Sequence, residues 1–123
     1  MNTSIVNNLP EDLIRATMVF SALGNVVRQE IIMLPEPGEE FSIKEVADQF
    51  DLGRTTIVHH LTVLYNHGVL HMRKSGRQTI YSVAYDTILN AMRQMYQHIR
   101  HSLPQDHEMD HILSLPPNRQ NMQ

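Results

Sequence analysis

The segment from Ser42 to Gly68 leaves the chain few options. Ser42-Ile43-Lys44-Glu45 places serine at a helix cap and glutamate three residues on, a reciprocal capping box that satisfies two otherwise orphan backbone donors. The short helix it opens carries Ile43, Val46, Ala47 and Phe50. Asp51-Leu52-Gly53 is a tight connection, a second helix runs from about Arg54 to Asn66, and Gly68 can end it in the left-handed conformation that glycine tolerates. A short helix, a three-residue turn containing glycine and a second helix make a helix-turn-helix.

The rest of the chain is arranged around this unit. Asn8-Leu9-Pro10-Glu11 reads as a helix start, with Asn8 as cap and Glu11 at the third position, and Leu13, Ala16, Phe20 and Leu23 then recur at helical spacing. Gly24 breaks that helix and Asn25 can cap the next, whose apolar end is Ile31, Ile32 and Leu34. Pro35-Glu36-Pro37-Gly38 is a turn. After Gly68 the period shortens: Val69, Leu70, Met72 and then Thr79 to Val83 read as two strands, with Arg73-Lys74-Ser75-Gly76-Arg77 as the hairpin tip. Asp86 can cap a last helix in which Ile88, Met92, Met95, Ile99 and Leu103 form a narrow seam of the kind two helices share. Pro104 ends it, and the polar residues that follow, with Pro116-Pro117, are expected to fray.

Composition excludes several classes. The 123 residues suit one domain, and a chain of this size buries roughly two-thirds of its unfolded surface without needing staples. With no cysteine there is neither a disulfide nor a thiolate metal site. No apolar run approaches the roughly 20 residues that span a bilayer, and Met1 to Leu9 lacks the basic-then-apolar order of a secretory signal, so the cytoplasm is the expected compartment. The net charge of −3 argues mildly against nucleic acid, but its distribution argues the other way. From Leu52 to Tyr85 there is no acid; the stretch holds Arg54, Arg73, Lys74 and Arg77 and carries +4, against −7 for the remainder. A binding face is a local property, so the local sign matters more than the total.

On a helical wheel of about 100° per residue, Ile57, Leu61 and Leu64 share one side of the Arg54–Asn66 helix. Thr55, His59, Thr62 and Asn66 share the opposite side; all can hydrogen-bond and none is acidic. An ordinary solvated face more often carries lysine and glutamate. A short polar stripe without acids suits a major groove, where side chains reach base edges beside phosphates. Arg54 and Thr56 at the helix start can reach phosphates, and Arg73, Lys74 and Arg77 on the hairpin can lie along the backbone or in the minor groove. His60 lies beside the core stripe and suits a local hydrogen bond, and the methionines fall mostly on helical apolar faces, where core filling explains them.

These segments resemble the ArsR family of winged-helix repressors. Phe20 to Asn25 followed by Arg28 is similar to its "ALGxxxR" segment, Ser42 to Ala47 to its "sVxELA" helix, and Arg54 to Leu64 to its "qsTvSHHLkvL" recognition helix. Gly68-Val69-Leu70 and Gly76 to Ser82 resemble its "GLv…GrxvyYs" wing, so the resemblance runs over roughly residues 18–84. Val58 and Gly53 stand where the family usually has serine. The resemblance implies dimeric DNA-binding repressors, packed through their first and last helices and released from the operator by a metal or another effector. The last-helix metal site of such proteins follows D-x-H, ten residues, then H-x-x-H or H-x-x-E. His98 and His101 match its second half, whereas the first half falls on Tyr85 and Thr87, with Asp86 one residue out of register. His107-Glu108-Met109-Asp110-His111 also spells the H-E-x-x-H of zinc proteases, a motif that needs a helix, a third ligand and a cleft.

The sequence therefore predicts a mainly α fold with a small β-hairpin: a winged helix-turn-helix, dimerising through its first and last helices. Residues 1–104 form the DNA-binding domain, with the reading motif at 42–66 and the wing at 69–84, and 105–123 form a polar, flexible tail. The expected function is sequence-specific binding of double-stranded DNA as a homodimer on an inverted-repeat operator, in the role of a repressor and not of an enzyme. Arg54, Thr55, Thr56, His59, Thr62, Arg73, Lys74 and Arg77 are the candidate contacts. No cofactor and no membrane partner is expected, and the effector, small molecule or metal, is left open. The alternatives are a metal-responsive repressor using His98 and His101, and a winged-helix module for protein contact.

Overall fold

A computed structural model describes residues 9–103 and 114–116. Five helices and three strands follow in the order α1 (Glu11–Leu23), α2 (Val26–Met33), β1 (Phe41–Ser42), α3 (Ile43–Ala47), α4 (Arg54–Asn66), β2 (Leu70–Ser75), β3 (Gln78–Val83) and α5 (Tyr85–Ser102). The fold is mainly helical, as expected, with one addition. The hairpin β2–β3 gains a third, antiparallel strand, β1, on the far side of β3, where Phe41 faces Tyr81 and Ser42 faces Ile80.

Local chemistry accounts for most boundaries. Asn25 caps α2 by accepting the Arg28 N–H. The Ser42–Glu45 capping box is complete, so Ser42 ends β1 and begins α3 in one residue. Helix α4 closes in a Schellman turn: Gly68 takes φ +81°, its N–H donates to the Tyr65 carbonyl at 3.1 Å, and the Val69 N–H donates to Leu64 at 2.9 Å. The hairpin turns on Gly76-Arg77 between the facing residues Ser75 and Gln78, with Gly76 at φ +63°.

Four expectations need correction. Helix α1 begins at Glu11 with Pro10 before it, so Glu11 is its first residue rather than its third, and Asn8 lies outside the described residues. Helix α5 begins one residue before Asp86, with Ala84 at the cap position, because the chain passes directly from β3 into the helix and the Ala84 N–H is held by the Val69 carbonyl at 2.8 Å. Phe50 packs on the core from the turn after α3 rather than from the helix itself. Leu34, read as part of the apolar end of α2, is the residue after its last turn and is exposed. The tail and the His107–His111 motif lie outside the described residues.

The core sits where α2, α4 and the base of the sheet converge. Ile31, Ile57, Leu61, Leu64 and Val69 are fully buried, and each such side chain contributes about 1.5–3 kcal/mol by leaving water. Helix α1 packs along α5, where the buried side chains of Ala16, Val19 and Ala91 line one concavity between the two helices. The expected seam on α5 divides into two stripes. Ile88 and half-buried Met95 lie on the α1 side with Ala91. Tyr85, Leu89, Met92, Tyr96, Ile99 and Leu103, spaced by four and three, form a second stripe, in which Leu89, Met92 and Ile99 keep 61%, 53% and 51% of their surface exposed. Among the described residues no helix is long and apolar enough to cross a membrane.

Candidate nucleic-acid interface

Helix α4 is oriented by its apolar side. With Ile57, Leu61 and Leu64 fully buried, Thr55, His59, Thr62 and Asn66 are forced outward, and all four are exposed. The Thr62 hydroxyl is partly occupied, donating to the Val58 carbonyl at 2.8 Å. At the start of the helix Gly53 supplies no side-chain cap, so the first-turn N–H groups have no side-chain partner. Arg54, Thr55 and Thr56 are all exposed there.

The structure distributes the hairpin cations more unevenly than the sequence suggests. Arg73 and Lys74 lie in strand β2 rather than in the turn. The Arg73 guanidinium forks onto Glu40, just before β1, with Nε at 2.6 Å and Nη2 at 3.0 Å. That fork holds the Glu40 carboxyl below the usual carboxylate range and raises Arg73 above its own ordinary value. Lys74 donates to the Thr79 hydroxyl at 2.7 Å. Arg77 alone occupies the turn, and it is brought to Arg54: the two line one concavity of about 150 Å3 together with Lys44, Gln78 and Thr79. The sequence reading missed Lys44 and Glu40. Lys44 was legible as a cation at the second residue of α3; Glu40 carried no signal, being 33 residues from its partner.

Behind α4, Arg28 donates to the carbonyls of Ala22 at 2.5 Å and Ser21 at 3.4 Å, and its Nη1 lies 3.4 Å from His60 Nδ1. The expected histidine hydrogen bond exists, but it joins α4 to α2 rather than staying local. Arginine can only donate, so Nδ1 must be unprotonated. Burial first, then the charges of Arg28 and His59, lower the His60 pKa from its ordinary value. The unfolded chain therefore binds this proton more readily than the folded one. The associated stability is present above the ordinary histidine value and is lost as pH falls through the lowered folded value. The melting temperature should drop as pH goes from about 7 towards 5, and His60→Gln should flatten that part of the profile. An unaltered profile in the variant would place the acid sensitivity elsewhere.

Of the two last-helix candidates, His98 faces Asp12 on α1, with Nε2 3.8 Å from Oδ2, and His101 is exposed one turn on. Among the described residues no three histidine, aspartate or glutamate side chains converge.

No family model matches the chain. It is 27% identical over 74 residues to an uncharacterised HTH-type transcriptional regulator of Methanocaldococcus jannaschii, covering 60% of this chain and 83% of that one. An ArsR-like transcriptional regulator from Rhodococcus sp. superposes with a TM-score of 0.60 at 24% identity, over 68% of this chain and 78% of the other. A homodimeric winged helix-turn-helix DNA-binding domain from Mycobacterium bovis, a possible ArsR-family regulator, gives 0.57 at 24% identity, over 78% and 88%. The fold is that of the ArsR-family winged helix-turn-helix regulators. In ArsR-fold terms α3 and α4 are the helix-turn-helix, β2 and β3 the wing, and α1 and α5 the helices flanking both.

Proposed function

We propose that this chain is a sequence-specific DNA-binding transcription regulator that works as a homodimer on an inverted-repeat operator, as a repressor. The observation that carries the reading is the outer side of α4: four exposed hydrogen-bonding side chains without an acid, flanked at the helix start by Arg54 and by Arg77 from the wing. Such a surface can donate to and accept from base edges while the cations hold the backbone. Residues 1–104 act as the DNA-binding unit, read by 42–66 and steadied by the wing at 69–84. The uncovered apolar stripe of α5 supports the dimer, because a two-fold axis is the commonest way to cover such a face, and the Mycobacterium bovis relative is homodimeric.

Selection of bound duplexes from a random pool tests the function directly. It should enrich an inverted repeat whose half-sites are separated by a helical turn or its multiple. A pool that stays random would refute sequence-specific binding. The wing should behave differently from the reading helix. Lys74→Gln should weaken all sequences about equally and lower the salt slope of binding by about one unit per protomer, about two for the dimer. An unchanged slope would place Lys74 off the DNA.

A further inference from the structure

We propose that Lys44, Arg54 and Arg77 form a single seat for one backbone phosphate of duplex DNA, which makes Lys44 a contact outside both the reading helix and the wing. The inference rests on the DNA-binding reading above and specifies how the protein grips the backbone. The three cations come from three elements, α3, α4 and the β2–β3 turn, yet line the same concavity of about 150 Å3. A hollow of this size has room for a phosphate group together with several waters. No acid lines it.

The neighbouring carboxylates are occupied. Glu45 receives both the N–H and the hydroxyl of Ser42, at 3.2 and 3.1 Å, and Glu40 holds Arg73. Arg54 and Arg77 have no side-chain partner among the described residues. Lys44 reaches Asp48 at 3.0 Å, but both side chains are largely exposed and a pair of this kind is weak, so Lys44 is free to turn towards a phosphate. Three like charges left around one hollow repel one another, and a shared anion relieves all three at once. The Gln78 side-chain amide, on the same rim, adds a neutral donor. The seat thus fixes the angle between wing and reading helix on the backbone, because its cations belong to both.

A shared seat differs from three separate contacts in its salt dependence. Each neutralised phosphate contributes about 0.9 to the slope of log affinity against log salt. Binding to a mixed-sequence duplex of about three helical turns should be measured for wild type, for Lys44→Gln, Arg54→Gln and Arg77→Gln, and for the triple variant, with thermal melting to verify the fold. Each single change should weaken binding, and the triple variant, which removes one seat from each protomer of the dimer, should lose only about two units of slope. A triple variant with an unchanged slope, or one that loses about five units, as three separate contacts in each protomer predict, would overturn the shared seat, and unaltered affinity in Lys44→Gln would remove Lys44 from it. Replacing chloride by inorganic phosphate at matched ionic strength should weaken duplex binding more in the wild type than in the triple variant, because the free anion competes for the seat only where the seat exists. Equal weakening of both would show that the three cations hold no phosphate. A wild type that is not retained on duplex at low salt would fail the DNA-binding reading itself, an outcome separable from all of these.

Discussion

Changing Leu89 and Met92 together to glutamate should turn the dimer into monomers and remove measurable operator binding. Both residues lie on the exposed stripe of α5 that runs from Tyr85 to Leu103, away from the α1 contact. A two-fold interface brings the stripe against its own copy, so the double change introduces four carboxylates into one apolar contact. An unpaired charge in such a place carries a penalty of several kcal/mol even after relaxation, about the whole stability of a micromolar dimer. DNA affinity should fall with it, because two linked half-site contacts exceed one by roughly 10²–10⁴-fold. Sedimentation of the wild type and the variant, with operator binding in parallel, provides the check. A monomeric wild type at micromolar concentration, or a variant that stays dimeric, would show that the stripe serves something else. Met95→Glu should act differently: half-buried on the α1 side, it should lower the melting temperature before it alters the assembly.

The second large effect is expected on α4. Thr55→Ala and His59→Ala should each lower affinity for the selected site by about 1–3 kcal/mol, and each should relax the preference at its own base pair. Both side chains are exposed and neither packs in the core, so their loss should leave the melting temperature nearly unchanged. That separation distinguishes a reading residue from a structural one. If both variants select the same sequence with wild-type affinity, the outer side of α4 is not the reading surface.

How much of this was legible beforehand follows the range of the interactions. Helix α4 was bounded correctly because its signals are local: Gly53 and Gly68 mark its ends, and Ile57, Leu61 and Leu64 repeat between them. The Ser42–Glu45 box was legible for the same reason. Strand β1 was not, since two residues carry no periodicity and its existence depends on pairing with Ile80 and Tyr81. The α5 seam was seen but mis-sorted. Its inner and outer stripes are adjacent on one broad apolar arc, and only the position of α1 decides which residues are covered. Glu40 and Arg73 show the same limit for charge: each is an ordinary exposed residue until the sheet brings them together, and the pairing takes Arg73 out of the free cations of the hairpin.

Ser42, shared between β1 and α3, has a mechanical consequence. The residue that starts the helix-turn-helix is also hydrogen-bonded into the sheet that carries the wing, and the Glu40–Arg73 fork spans the same joint. At the other end, the Val69 carbonyl ties the foot of β2 to the residue that opens α5. Within one protomer these contacts couple the wing and α4 to each other and to the start of α5, so that they form one lever. In a dimer the adjustable quantity is then the span between two such levers across the duplex. On the DNA-binding function proposed above, a change at the α1–α5 pair would alter that span while leaving the exposed side of α4 unchanged.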